Sequence, residues 1–483
     1  MFTLPIDILL IFTITAPFVG WIAEKLHMRS LSGVYSAIGL ATSGFALYSM
    51  FDQVLSAPVI VPFEAGILEA CLRIDALSIF MSSIFVALGL LVTVYSIKYM
   101  ERDTGLPLYY TLLLAMLSGM VGVVFAGDFF TLFVFWELMC IPSYVLVAFR
   151  KHKWEAVEAG LKYLVMSSAG SATLLFGMSL LYGLTGTLNF AQLSVLLNCP
   201  PNVWSYLSVV FIVAGLGVKA AIFPFHMWLP DAHPAAPSSI SALLSGIVIK
   251  VGVYAIIRSL FMVFLPTQFS WQTMLAILSI LTMTFGNLAA LLQGDIKRLL
   301  AYSSIAQIGY IVFAFSTASS YGLTAGLMHI MNHAITKGLL FLCAGVFVYK
   351  TGTRSLKELK GIGHKMPITT ITFVIASLAI SGVPPLNGFV SELMIIYAGV
   401  YANMLIFTVP MLINLLIGFA YYLRLIKLIV WSTPSEKVRG VSEAPALMLI
   451  PMVILALASL IIGLYPSPFI NLSNLAAKSL FGL

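Results

Sequence analysis

Apolar windows of bilayer length follow one another almost end to end through this chain, separated by short polar turns. A helix crosses a bilayer with about 20 apolar residues, and only helices and closed barrels satisfy their backbone there. With 60% hydrophobic and 9% charged residues over 483 positions, there is no room for a sizeable soluble domain. The windows predict helices at 4–23, 31–51, 76–99, 108–126, 129–149, 158–183, 205–229, 236–262, 271–293, 297–319, 321–349, 368–400, 405–431 and 447–466. The expected fold is an all-α polytopic membrane protein of about fourteen transmembrane helices. The first window lacks the basic flank and small-residue cleavage site of a signal peptide, and reads as a retained helix.

Loop charge tests this count independently. Eighteen of the 25 lysines and arginines fall in alternate loops on one side, and three (Arg73, Arg258 and Lys478) on the other. The remaining four, Lys162, Lys219, Lys250 and Lys337, lie at or inside helices. The positive-inside rule makes the first side cytoplasmic and puts both termini outside a cell (inner) membrane. The net charge of +7 is therefore loop charge facing the lipid bilayer. No aromatic-basic array suggests nucleic acid. Cys71, Cys140, Cys199 and Cys343 are scattered, with no spacing for a disulfide framework, a metal or an iron-sulfur centre.

Two predicted helices are broken by proline. GLGVKAAIFPFHMWLPDAHPAAPSSISALLSG, from Gly215, sets Lys219 before Pro224; SLAISGVPPLNGFVSELMIIY places Gly382, Pro384, Pro385 and Gly388 at midspan. They lie five helices apart, so the second crosses in the opposite direction. Paired broken segments at corresponding places point to inverted repeats with ion sites at midmembrane. This reading gives a three-helix segment at 1–107, a five-helix repeat at 108–262, its inverted counterpart at 271–431, and a last helix and tail at 432–483. Packing kinks are the alternative, and they explain one break more easily than two.

Ionisable residues inside a membrane are costly, at about 2.5 kcal/mol or more each, and here they form a series. Glu137 is alone between Asp128 and Arg150, with Lys219 its natural partner. At about 4 Å such a pair is worth roughly 4 kcal/mol, so parting it would act as a proton-release switch. A static salt bridge is the competing reading, though buried pairs add little net stability. Lys250 lies mid-helix, about ten residues before Arg258 caps the outer end, and snorkelling is its alternative. His329, His333 and Lys337 recur every four residues and line one helical face, a candidate hydrated proton relay with Asn332 and Thr336 nearby. Glu392 follows the second break and needs a partner from another helix; Lys337 is the candidate. Lys162 is a candidate uptake residue or a snorkelling one. His226 and His233 have no definite role.

These motifs resemble one family: the antiporter-like subunits shared by respiratory complex I, the membrane-bound hydrogenases and the Mrp cation/proton antiporters. The resemblance rests on the WEL segment with Glu137, GLGVKAAIFPFHMWLPDAHPAAP with Lys219, the SALLSG helix with Lys250, QGDIKRLLAYSSIAQIGY, HIMNHAITKGLLFL and SGVPPLNGFVSEL. It implies fourteen helices with two inverted five-helix repeats, and proton carriage through Glu137, Lys219, Lys250, the Lys337 region and Glu392. Many members carry lysine where this chain has Glu392, which is similar to the complex I and hydrogenase versions. The chain stops soon after helix fourteen, as shorter paralogues do.

The expected function is that of a proton-translocating subunit of a redox-driven complex. Its expected partners are other antiporter-like subunits and a redox-active peripheral arm. It would hold no cofactor itself, with flavin, iron-sulfur or nickel-iron centres on partner subunits. The alternatives are a subunit of a Mrp-type sodium/proton antiporter, a structural membrane scaffold with non-conducting charges, and an autonomous metabolite transporter.

Overall fold

Many of the helices start where a short polar side chain satisfies the first free amides. The computed structural model, which describes residues 2–62, 70–197 and 200–480, begins with α1 (Leu4–Lys25) and α2 (Leu31–Ser56). A short antiparallel pair, β1 (Val59–Pro62) and β2 (Cys71–Ile74), then adds a strand element to the expected all-helical chain. Asp75 caps α3 (Ala76–Tyr99) through the Ser78 amide at 3.0 Å. After α4 (Leu106–Phe125), Asp128 caps α5 (Phe129–Val147) through the Thr131 amide at 2.7 Å. The 32-residue α6 (Trp154–Thr185) stops at Gly186, whose φ of 73° suits glycine. The short α7 (Phe190–Leu196) precedes α8 (Val203–Ala220), which opens on a capping box of Asn202 and Ser205. Cys199 lies outside the described residues.

The second half is built likewise. After α9 (Leu229–Ala235), one long run combines α10 (Ser238–Leu243), a π-helical turn at Leu244–Val248 and α11 (Ile249–Met262). Next come α12 (Gln272–Leu291), α13 (Ile296–Ser316) and α14 (Ser320–Thr351). Then follow α15 (Pro367–Ala379), α16 (Asn387–Tyr401), α17 (Leu405–Ile426), α18 (Ala446–Leu464) and α19 (Ser467–Lys478). Among the described residues 13 helices are long and apolar enough to cross a membrane. The pair α15 and α16 makes the remaining predicted span in two pieces. This is a polytopic membrane protein.

Burial separates an inner from an outer set. The apolar windows of Ser238–Met262, α13 and α14 are 100%, 94% and 94% buried, whereas those of α1 and of Leu405–Trp431 are only 28% buried. The outer helices show Ile14, Phe18 and Leu416 to lipid. The inner ones carry Lys250, His329, His333 and Lys337, all shielded from it.

Both expected breaks occur. The helix read as 205–229 stops sooner, at Ala220, because Ala221 already adopts the left-handed region at φ 56°. Lipid cannot satisfy the backbone freed there, so protein does: the Trp228 indole donates to the Val218 carbonyl at 2.8 Å, and the Phe223 amide donates to Thr282 Oγ1 at 3.0 Å. At the second break Gln307 Nε2 donates to the Ile380 carbonyl at 3.3 Å, and Asn332 Nδ2 donates to the Asn387 carbonyl at 2.8 Å.

Candidate functional site

Lys219 occupies the last turn of α8 and is 2% exposed. Its ammonium donates to Ser143 Oγ on α5 at 2.9 Å and to the Tyr163 hydroxyl on α6 at 2.6 Å. Tyr163 is itself held, stacked on Trp228 with ring centroids 3.9 Å apart. The expected Glu137 partner is not among these contacts. Glu137 is half-buried and accepts a hydrogen bond from Ser171 at 2.5 Å. The offset is axial: Ser143 lies six residues beyond Glu137 on α5, a rise of about 9 Å, so the hydroxyl that holds the ammonium stands at a different level from the carboxylate. Cys140, between the two levels, faces both charges.

The helices that carry Lys250 and Lys219 meet through their backbones. A Cβ on Gly252 would stand 2.6 Å from the Ala220 nitrogen, so α11 and α8 touch beside the two lysines only because residue 252 is glycine. Lys250 donates to the Ser245 carbonyl, which lies in the π-turn. A π-turn displaces the i−4 carbonyl pattern, and here an intrahelical acceptor becomes a ligand for the charge.

The stripe of His329, His333 and Lys337 on α14 is buried throughout, as the four-residue spacing predicts. Lys337 donates to the Leu300 carbonyl at 3.1 Å and to the Tyr422 hydroxyl at 2.9 Å, and Tyr422 meets Ser303 at 2.8 Å. Its expected partner Glu392 is absent from this shell: Glu392 stands beside Gln307, which bonds His329, eight residues or about 12 Å before Lys337 on α14. His329 bonds Ser391 at 2.9 Å and Gln307 at 2.6 Å. His333 stacks on His329 with centroids 6.4 Å apart, and both its ring nitrogens are unpartnered. A Cβ on Gly246 would stand 3.5 Å from the Ala334 carbonyl, so the π-turn ahead of Lys250 packs on α14 beside His333.

Glu392 ends the series on α16, 4% exposed, with the Gln307 amide beside it and Oε1 unpartnered. It borders a cavity of about 360 Å³ lined by Gly382, Val383, Leu393 and Phe419. Gly382, at φ 69°, leaves it room: a Cβ there would stand 2.1 Å from Glu392 Oε2.

The remaining residues are placed as follows. Lys162 is half-exposed and bonds Glu158 at 2.8 Å and Asp231 at 3.2 Å. His226 packs edge-on against Phe285, centroids 4.6 Å apart, with both nitrogens unpartnered, so the break turns it away from the Lys219 contacts. His233, of no definite role in the sequence, stacks on Phe341 at 4.5 Å and feels the charges of Lys297, Lys337 and Lys250.

Two groups escaped the sequence reading. Lys297, counted as a loop residue, is 2% exposed and donates to the Ala236 carbonyl at 2.6 Å. Its signal was available: Asp295 caps a helix at this point, so the adjacent Lys297 and Arg298 point about 100° apart and one must face inward. Arg258, expected to cap a helix end, is instead fully buried against Asp75. Lys297 lines a cavity of about 490 Å³, shared with Arg150, Asp295 and Arg354; a second of about 520 Å³ adjoins it and holds Lys162 and Asp231. Arg150, at the cavity wall, donates twice to Asp103 at 2.9 Å. Burial alone would weaken its hold on the proton, but this carboxylate raises its pKa above the usual arginine value.

Comparison with known proteins gives the family of the chain. Residues 126–418 match the family model described as NADH:quinone oxidoreductase/Mrp antiporter, TM, and residues 65–110 match NADH-Ubiquinone oxidoreductase (complex I), chain 5 N-terminus. The chain is 34% identical to F(420)H(2) dehydrogenase subunit N of Methanosarcina mazei, covering 96% of this chain and 92% of that one. It is 30% identical to a Na(+)/H(+) antiporter subunit of Bacillus subtilis, covering 92% and 90%. Among solved structures, the membrane-bound sulfane sulfur reductase, an archaeal respiratory membrane complex, has a chain that matches with TM-score 0.90 and 32% identity over 99% of this chain and 97% of that one. The chain therefore belongs to the membrane antiporter-like family of NADH:quinone oxidoreductase and Mrp antiporter subunits.

Proposed function

We propose that this chain is the proton-translocating, antiporter-like subunit of a redox-driven complex in the cell (inner) membrane, with both termini on the outer side. One observation carries the reading. Lys219, Lys250, Lys297 and Lys337 are buried, yet each is held by neutral oxygens rather than by a carboxylate. A structural ion pair would need its acid, since an unpaired buried charge is destabilising by several kcal/mol, on the order of 3–5. A tyrosine hydroxyl both donates and accepts, so Tyr163 and Tyr422 keep their lysine contacts with or without the proton.

In the proposed sequence, a signal from a redox-active neighbour moves Glu137 relative to Lys219. The structure's separated arrangement is one end of that switch. A proton passes from Lys219 to Lys250, crosses by the stripe of Lys337, His333 and His329 to Glu392, and leaves on the outer side. Ordered water bridges the steps longer than a hydrogen bond. Replacement protons enter by the cavity at Lys297, with His233 behind it and Lys162 at its margin. One charge against 100 mV costs about 2.3 kcal/mol, within reach of a pair worth roughly 4 kcal/mol. Residues 108–262 and 271–431 act as inverted repeats, each with one broken helix. Other antiporter-like subunits and a peripheral arm complete the complex, and flavin, iron-sulfur or nickel-iron centres reside on those partners.

The dehydrogenase and reductase relatives support a redox partner. A second reading, a subunit of a sodium/proton antiporter without redox chemistry, draws on the 30% identity to the Bacillus subtilis protein. Flavin or iron-sulfur absorbance in the purified native assembly separates the two. Lys219→Ala tests the relay: pumping stops in inverted vesicles while the complex assembles, and undiminished pumping would overturn it.

A further inference from the structure

The bundle holds a buried charged cluster that the relay does not use. Arg258 on α11 is 0% exposed and grips the Asp75 carboxylate with two nitrogens, at 2.6 and 2.9 Å. It also donates to Ser78 Oγ at 3.0 Å and to the Tyr254 hydroxyl at 2.9 Å. Asp75 caps α3, and β2 just before it is tied to α5 through the Cys71 amide and Asp128 Oδ2 at 2.8 Å. The pair therefore locks α11 to α3 and, through β2, to α5.

Its position relative to Lys250 gives the cluster meaning. Lys250, Tyr254 and Arg258 recur every four residues and share one face of α11, with Arg258 about 12 Å along the axis from Lys250. The face is a polar track leading from the middle of the bundle to one end. Tyr254 does not extend it, because its hydroxyl donates its single proton to the Val124 carbonyl at 2.7 Å. Arg258 does not extend it either, since a guanidinium keeps its proton in proteins. Arg73, 3.4 Å from the same carboxylate and 17% exposed, stands at the margin, so the fixed guanidinium set across the track is that of Arg258. Fixed arginines act as barriers to protons and cations in membrane pores.

We propose that the Arg258 and Asp75 pair seals the outer end of the Lys250 track, so that a proton on Lys250 has only the lateral way to His333. The inference rests on the reading of Lys250 as a proton carrier. Arg258 is a positioning residue here: it shapes the path of a proton that it never holds.

Removing one partner alone would strand a buried charge, so the variant to use is the neutral pair Asp75→Asn with Arg258→Gln. The whole complex is reconstituted in liposomes without electron donor, and passive proton influx is read with a lumenal pH dye under a potassium diffusion potential. Influx should rise about tenfold, the change that a barrier lowered by about 1.4 kcal/mol produces. Adding Lys250→Ala should return it to the unmodified level, and Arg258→Lys alone, which keeps the charge, should leak less than the neutral pair. An assembled neutral-pair complex without extra influx overturns the seal, as does a leak that persists after Lys250→Ala, the mark of general disorder. Lys250→Ala by itself separates the premises: normal pumping there overturns the relay reading, and the seal with it.

Discussion

The two broken helices hold their charged residues in opposite conditions. At the first, Lys219 has two hydroxyl partners and its neighbouring carboxylate, Glu137, is half-buried with Ser171 as a partner. At the second, Glu392 is buried with one oxygen unpartnered, and the nearest relay lysine is committed to Leu300 and Tyr422. An unsatisfied buried oxygen is costly, by about 1–3 kcal/mol, so the second site is the less settled of the two.

That contrast can be broken at several points. The largest effect is expected at Lys337→Ala, where pumping in inverted vesicles should fall by about tenfold or more, matching Lys219→Ala; a mild phenotype at either lysine would remove that break from the path. Gly382→Ala comes next. Its Cβ would collide with Glu392 at a positive φ, so the melting temperature of the complex should drop with a loss of about 1–3 kcal/mol. Gly217, by the first break, has no neighbour within 3.6 Å of a built Cβ, and Gly217→Ala should stay within about 0.5 kcal/mol. Tyr163→Phe and Tyr422→Phe each remove one hydroxyl from an ammonium, at about 1.5–3 kcal/mol, so each should slow pumping by a similar factor. Unequal losses would show that the two lysine shells are not equivalent. Ser171→Ala should have the smallest effect, about threefold or less in pumping rate, because Glu137 is half-buried and water can take the place of the lost hydroxyl.

Much of the architecture was legible because lipid enforces simple rules. Window length found the spans, and the proline segments located both breaks. Four-residue spacing put His329, His333 and Lys337 on a common face. Partners were harder to read. Glu137 and Lys219 suggested a pair because each was the only charge in its window, but the six-residue offset between Glu137 and Ser143 on α5 is invisible until α8 has a height. Glu392 and Lys337 failed as a pair for the same reason, since Glu392 stands beside Gln307, which bonds His329, at a different level of α14 from Lys337. Arg258 and Asp75 lie 183 positions apart, and no local pattern announces such a contact. The track of Lys250, Tyr254 and Arg258 did show the spacing already recognised on α14.

The π-turn at Leu244–Val248 makes the inner helix a rotor with a built-in phase offset. It acts as one surplus residue between the α10 end and everything after it. Straightening it into an ordinary α-helix without losing a residue would turn α11 by about 100° relative to α10. Lys250, Tyr254 and Arg258 would swing away together, uncoupling the lysine from its histidine neighbour and the guanidinium from its carboxylate in one step. The proposed relay at Lys250 and the proposed seal at Arg258 are thus geared to the same angular setting.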